Sequence, residues 1–222
     1  MASVQHRFLR RKCGVINLED IDSFMKRLAS GSPAPGGGAA SALVSVVASS
    51  LASMVSALTV NKRGYEAERE RMQEIEKTAA SASIRLRNLM EDDEAAFNLI
   101  VSAWGLPRGT DTEKARRREE IEKATLVAIS VPIKIARESL GILEMASYLT
   151  AKGNKNAITD SACASEFAMA ALRGSLYNAK INLKSISDLD KRTEIDAKIR
   201  MILDTGLDLY RNNENTVRKI LA

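Results

Sequence analysis

The sequence predicts an all-α protein: a single-domain antiparallel multi-helix bundle with several long helices. Three observations carry this. Ala, Leu, Ile, Glu, Lys and Arg dominate the 222 residues, a composition that favours helix. Aromatic residues make up only 4% of the chain and there are just four prolines. Apolar residues recur at spacings of three and four through long stretches, and glycine and proline gather in a few short clusters between them.

Taken in order, Asn17 followed by Asp20 reads as an N-cap with an acid in the first turn, opening a short helix to about Ala29. Residues 1–16 form a basic tail and residues 17–222 the helical domain. "SGSPAPGGG" is a loop, because proline and glycine are costly inside a helix. From Ala39 to Asn61 the chain carries no charge. Val44, Val47, Leu51, Val55 and Leu58 follow helical spacing, while Ser41, Ser45, Ser49 and Ser53 form a second stripe of small side chains. The run is just long enough to span a bilayer. Its serine and threonine content and its one-sided bulk favour instead a buried helix whose small stripe lets neighbours approach, so no membrane partner is expected.

A long helix follows, from about Tyr65 to Ala103, with Leu86, Met90, Asp93, Phe97, Ile100 and Trp104 at core-facing heptad positions. "GLPRGTD" ends it. The next helix runs from about Thr112 to Leu149. Its first half, "EKARRREEIEK", reads as solvated. Its second half is apolar on two faces, Val131, Ile135 and Ile142 against Ile129, Ile133 and Leu140, and is central. Pro132 is expected to kink it. After "KGNKN" a helix from about Ile158 to Ser185 precedes "SDLDK" and a last helix ending near Ile220. Helices this long need partners along their length, which short antiparallel connections and self-association as a homodimer provide.

The net charge of +5 is a mild basic excess. With so few aromatics to stack on bases, it fits a small polyanionic ligand better than nucleic acid. Two cysteines, Cys13 and Cys163, and a single histidine, His6, have no metal-ligand or redox spacing. No metal and no cofactor are expected, and a cytoplasmic location fits the cysteine usage.

Three places can carry chemistry. Asp93 is the one acid of "MEDDEAAF" on the stripe of Leu86, Met90, Phe97 and Trp104. A carboxylate on an apolar stripe is costly unless it is paired or used, and burial raises its pKa toward the range of acid-base catalysis. A salt bridge to a neighbouring helix is the structural alternative. Asp160, Ala164, Phe167, Ala171, Gly174 and Asn178, with Asn182 beyond, form a stripe that mixes small residues with carboxylate and amide groups. It suits a groove for a planar heterocycle, or close helix packing tied by asparagine. Pro35, Gly36, Gly37 and Gly38 stand at a helix N-terminus. There the amides and the helix dipole favour an anion or a carbonyl oxygen.

Together these segments resemble the formiminotetrahydrofolate cyclodeaminase / methenyltetrahydrofolate cyclohydrolase family over about Leu18 to Leu207. "SPAPGGGAASAL" resembles its Pro-Gly-Gly-Gly entry to a small-residue helix, and "DEAAF" its Asp-x-x-Ala-Phe/Tyr motif. "GLPRGTDTEKARRR" is similar to its Leu-Pro-Lys-x-Thr stretch, with Arg108 where lysine is usual. "SVPIKIA", "GNKNAITDSACA" and "GSLYNAKINLKSISD" follow in the family's order, with Thr159 before Asp160.

The resemblance implies an all-helical, dimeric enzyme acting on a tetrahydrofolate derivative, with Asp93 as the catalytic acid. It puts conversion of 5-formimino-tetrahydrofolate to 5,10-methenyl-tetrahydrofolate and ammonia first. Hydrolysis of 5,10-methenyl- to 10-formyl-tetrahydrofolate is the alternative, and a non-catalytic helical interaction protein comes behind both. Asp160, with Asn178 or Asn182, is expected to read the pterin edge. The Gly36–Gly38 amides are expected to line the cleft, and Arg108 with its basic neighbours to attract the glutamate tail. A merely solvated face is the alternative for that basic stretch.

Overall fold

The computed structural model describes residues 18–222, and all the regular structure among them is helical. The basic tail 1–16, His6, Cys13 and the Asn17 cap lie outside the described residues. The chain divides into two compact units, Met1–Gly36 and Gly37–Ala222. The shorter unit contributes α1, Leu18–Leu28, whose last turn holds Lys26 and Arg27. A loop follows in which Ala34 and Pro35 are joined by a cis peptide bond.

The longer unit is a bundle of five helices. These are α2 (Gly37–Val60), α3 (Arg69–Trp104), α4 (Asp111–Lys152), α5 (Ile158–Leu183) and α6 (Leu189–Leu221), with short 3-10 turns at Glu66–Glu68 and Lys155–Ala157. The connections are short, so consecutive helices fold back on one another. Thr110 and Glu113 form a reciprocal capping box that starts α4, and the Asp188 side chain caps α6. Pro132 is buried inside α4, which continues as helix on both sides of it. The apolar half of α4 is central as expected, with Ile135, Ile142 and Leu143 fully buried.

α2 packs against α3, α5 and α4. Its buried side is the small one: Ser41, Ala42, Ser45, Ala48, Ser49, Ala52 and Ser56. Ser45 and Ser139 share a buried hydrogen bond of 2.9 Å between α2 and α4. Three neighbours can crowd one helix only where side chains are small. The bulky residues that give α2 its helical spacing therefore turn outward. Val44 is 36% exposed, Val47 44%, Met54 40% and Leu58 50%, whereas Val55 is fully buried. By length and composition α2 would also suffice to cross a membrane. Trp104 likewise departs from the core position expected of it: it closes α3 at 54% exposure.

Candidate active site

The first turn of α2 is where the functional candidates converge. Gly37 and Gly38 are already helical, so the glycine-rich loop is shorter than the sequence suggests. The first amides of a helix lack intrahelical partners, and here one of them finds a carboxylate. The amide of Ala39 donates to Asp93 Oδ2 at 3.0 Å, joining α3 to the α2 N-terminus across 54 residues of sequence. Neither glycine has a positive φ. The lack of a Cβ is what matters. A Cβ on Gly38 would lie 2.2 Å from Asp93 Oδ1 and 2.5 Å from its Cγ, so the carboxylate occupies the space that the missing side chain leaves.

Asp93 is half-buried, and burial pushes its pKa above the ordinary carboxylate value. The Ala39 hydrogen bond opposes this, and the nearby Glu94 charge adds to the rise. The salt-bridge alternative finds no support, since the partner is a backbone amide and the pKa moves up. A carboxyl group that is part-buried, oriented and shifted upward is a better proton acceptor than an ordinary carboxylate and can return the proton it takes.

Asn178 flanks the same turn from α5. A Cβ on Gly37 would come 3.0 Å from Asn178 Nδ2 and 3.4 Å from Oδ1. The Asn178 amide donates to the Gly174 carbonyl at 2.9 Å, which fixes its orientation. One turn along, Ser41 Oγ donates to the Gly37 carbonyl at 2.7 Å and fills the space beside Gly174. Asp93 and Asn178 thus stand on either side of the α2 N-terminus.

The other expected site residues are distributed differently. Asn182 donates to the Ala128 carbonyl at 3.2 Å and ties α5 to α4, as the packing alternative for this stripe describes. Asp160 shares the face of Asn178 but lies eighteen residues away on a continuous helix, roughly 27 Å. Within one chain the two do not read the same edge of a heterocycle. Arg108 belongs to a basic cleft of 360 Å³ with Lys114, Arg117, Arg118 and Ile121 at the α3–α4 corner. Arg117 donates from Nε and a terminal nitrogen to the Trp104 carbonyl, at 3.2 and 3.1 Å. Trp104 stands on the Asp93 face of α3, about 16 Å along the helix. Pro35 and Gly36 belong to the shorter unit, where Pro35 is buried.

Sequence reasoning missed the Ala39 amide as the partner of Asp93, and Ser41 as the group that fits Gly174. The signal was there in part: an unpaired acid on one apolar stripe and a helix that begins in glycines.

The formiminotransferase-cyclodeaminase family model matches residues 20–201. The chain belongs to this family. It is 37% identical over 171 residues to a methenyltetrahydrofolate cyclohydrolase from Methylorubrum extorquens, covering 77% of this chain and 82% of that protein. It is 29% identical over 166 residues to the formimidoyltransferase-cyclodeaminase of Rattus norvegicus, but spans only 31% of that protein's length. The crystal structure of formiminotetrahydrofolate cyclodeaminase from Thermotoga maritima superposes with a TM-score of 0.83 at 27% identity. The match covers 93% of this chain and 98% of that one. Family membership accounts for the all-helical fold and makes the protein one of a family of enzymes with cyclodeaminase and cyclohydrolase members.

Proposed function

We propose that the protein acts on the one-carbon unit between N5 and N10 of tetrahydrofolate, with Asp93 as the proton-transferring group. The observation that carries this reading is the Asp93 carboxylate, half-buried, seated on the Ala39 amide and shifted upward in pKa.

We place methenyltetrahydrofolate cyclohydrolase first. The sequence alone ranked the cyclodeaminase ahead. The 37% identity to a cyclohydrolase of similar length supports the reverse order. In this reaction water adds to the methenyl carbon of 5,10-methenyl-tetrahydrofolate while Asp93 accepts a proton from it. The carbon–N5 bond then breaks, N5 keeps the electron pair and takes up the proton held by Asp93, the hydroxyl loses its proton to solvent as the formyl carbonyl forms, and 10-formyl-tetrahydrofolate results.

The cyclodeaminase is the second reading, favoured by the Thermotoga maritima fold match. There N10 attacks the formimino carbon of 5-formimino-tetrahydrofolate, whose imino nitrogen has already taken one proton from solvent. Asp93 takes the N10 proton and returns one to the departing nitrogen, which leaves as ammonia. One carboxyl group beside both nitrogens serves either course. Asn178, across the α2 N-terminus, supplies amide donors and an acceptor for the pterin. The Arg108 cleft supplies positive charge for the glutamate carboxylates. A cytoplasmic homodimer remains part of the proposal.

The test uses one purified sample and two assays: loss of the methenyl absorbance, and ammonia release from 5-formimino-tetrahydrofolate. Methenyl hydrolysis that disappears in Asp93→Asn supports the first reading, and ammonia release with the same dependence supports the second. Neither activity, or either one undiminished in Asp93→Asn, removes Asp93 from the chemistry.

A further inference from the structure

α3 and α4 enclose a hollow of 240 Å³ that the candidate active site does not use. At one end Arg85 donates from Nε and a terminal nitrogen to the two carboxylate oxygens of Glu138, at 2.7 and 2.8 Å. This pair sets the register of the two antiparallel helices. Ala82, one turn back from Arg85, therefore comes level with Gly141, one turn on from Glu138. Both line the hollow, which opens because two of the smallest residues meet there. Ile75, Ala82 and Met145 are buried and give it an apolar floor.

Gly141 is the feature that the fold leaves unexplained. Apart from proline, glycine is the costliest residue inside a helix. The φ of Gly141 is not positive, so no backbone geometry calls for it. Beyond its own helix, no atom lies within 4 Å of where its Cβ would stand, so no neighbour calls for it either. Other helical glycines of the bundle differ: a Cβ on Gly174 or Gly206 would meet a side chain at 2.6 or 2.8 Å. A part-buried glycine that lines a hollow and packs against nothing keeps room for an occupant.

We propose that the hollow is a binding site for an aliphatic ammonium group. The charges on its rim select this ligand. Arg85 is committed to Glu138, and Arg71 to Glu74. Glu144, one turn beyond Gly141, has no hydrogen bond or ion pair among the described residues. An open carboxylate beside an apolar floor suits a cation on a short alkyl chain. The chain covers Ile75 and Met145, and the ammonium meets Glu144 with the Thr78 hydroxyl across the hollow. A helix of another protein is the wrong occupant, because laying it across the hollow would bury the Arg71–Glu74 and Arg85–Glu138 pairs. A free amine and a lysine side chain reaching in from a partner carry the same group. Asp93 stands eleven residues beyond Ala82 on α3, roughly 16 Å, so this site is separate from the one described above.

The test uses the full chain with n-pentylamine as the probe, followed by ligand-observed NMR. Pentylammonium is expected to bind. Pentanol and pentanoate keep the chain without the cation and are expected to bind about tenfold more weakly or not at all. Glu144→Gln changes a surface position and should weaken pentylammonium by about tenfold. Gly141→Leu fills the hollow and should abolish binding. Gly141→Ala should melt higher than wild type, because alanine is the better helix former and meets no neighbour. Circular dichroism checks that each variant is folded.

No binding of pentylammonium, binding undiminished in Glu144→Gln or Gly141→Leu, or pentanoate bound equally well overturns the proposal. So does a Gly141→Ala variant that melts below wild type, since the glycine then serves the fold. A capped lysine, with its α-amine acetylated and its carboxyl blocked as an amide, separates the two sources. Tighter binding than pentylamine supports a lysine side chain as the natural occupant, and weaker binding supports a free amine. None of these readouts involves turnover, so their failure leaves the reading of Asp93 intact.

Discussion

Asp93 and Gly38 occupy one volume between them: the carboxylate of one fills the place where a side chain of the other would stand, 2.2 Å from a Cβ. This contact sets the reach of Asp93 Oδ2 to the Ala39 amide. It makes Gly38 a positioning residue, since it acts through Asp93.

The first prediction compares the two adjacent glycines. Alanine in a helix where φ permits it gains about 0.5–1 kcal/mol of stability from the unfolded state. Gly38→Ala must push the carboxylate aside, and misplacement by an ångström costs on the order of 10²-fold in turnover. Gly37→Ala meets only the end of Asn178, at 3.0 Å, which can shift by a few tenths of an ångström. We expect Gly38→Ala to lose turnover by about 10²-fold and Gly37→Ala by about tenfold or less. Thermal melts should show both variants folded. Equal losses in the two would mean that Asp93 is not held by this contact.

The second prediction concerns the cost of Asp93. Its folded pKa is raised above the unfolded value, chiefly by burial. The folded state therefore holds this proton more tightly than the unfolded chain does. The resulting stability is complete below the ordinary carboxylate pKa and is lost as pH rises through the raised folded value. Asp93→Asn keeps an oxygen for the Ala39 amide and never ionises. We expect it to lose about 10²-fold in turnover yet melt higher than wild type at neutral pH. The difference should close as pH falls below the usual carboxylate range. Melts of both proteins across that range read the effect. A variant less stable than wild type at pH 7 would show that the ionised carboxylate stabilises the fold.

The fold was legible because helix signals here are local. The breaks at Gly105 and Pro107 and the Pro35–Gly38 punctuation mark the ends to within a few residues. Asp93 was legible because one acid on an apolar stripe is conspicuous. What the sequence could not supply was the outcome of competition among helices. Periodicity says that α2 has a bulky face and a small face. It does not say which of them three neighbours will cover. Crowding selected the serine stripe and turned Val44, Val47 and Leu58 outward. The partner of Asn182 was hidden for a related reason. Its stripe matched Asn178, but the nearest acceptor is the Ala128 carbonyl of another helix, which no single-helix pattern reveals.

The third prediction tests the close approach of α2 and α5. A Cβ on Gly174 would lie 2.6 Å from Ser41 Oγ and 3.7 Å from its Cβ, so the hydroxyl alone is in the way. Ser41→Ala loses the bond to the Gly37 carbonyl, worth about 1 kcal/mol. Gly174→Ala forces the hydroxyl off that bond or the helices apart. The double variant has no hydroxyl to displace. We expect the two single losses to exceed the double loss, with a coupling of about 1 kcal/mol in a denaturation cycle. Additive losses would place the two helices farther apart than 2.6 Å implies.

The last prediction asks whether the basic cleft serves the substrate. Arg108, Lys114, Arg117 and Arg118 surround a volume of 360 Å³ floored by Ile121. Lys114 is committed to Asp111 at 2.9 Å, and Arg117 to the Trp104 carbonyl. That leaves Arg108 and Arg118 as the cations to test. The Asp93 face of α3 leads to this corner over about 16 Å, a distance that suits a reacting pterin at Asp93 and a glutamate carboxylate at the cleft. An interaction made equally in the ground state and the transition state raises KM when removed and leaves kcat alone. Arg108→Ala with Arg118→Ala should therefore raise KM about tenfold with kcat held, and added salt should reproduce part of the rise in the wild type. A pteroyl substrate that lacks the glutamate should be indifferent to both changes. If KM for the full substrate is unmoved in the double variant, the basic face is simply solvated, and the glutamate tail leaves the protein by another route.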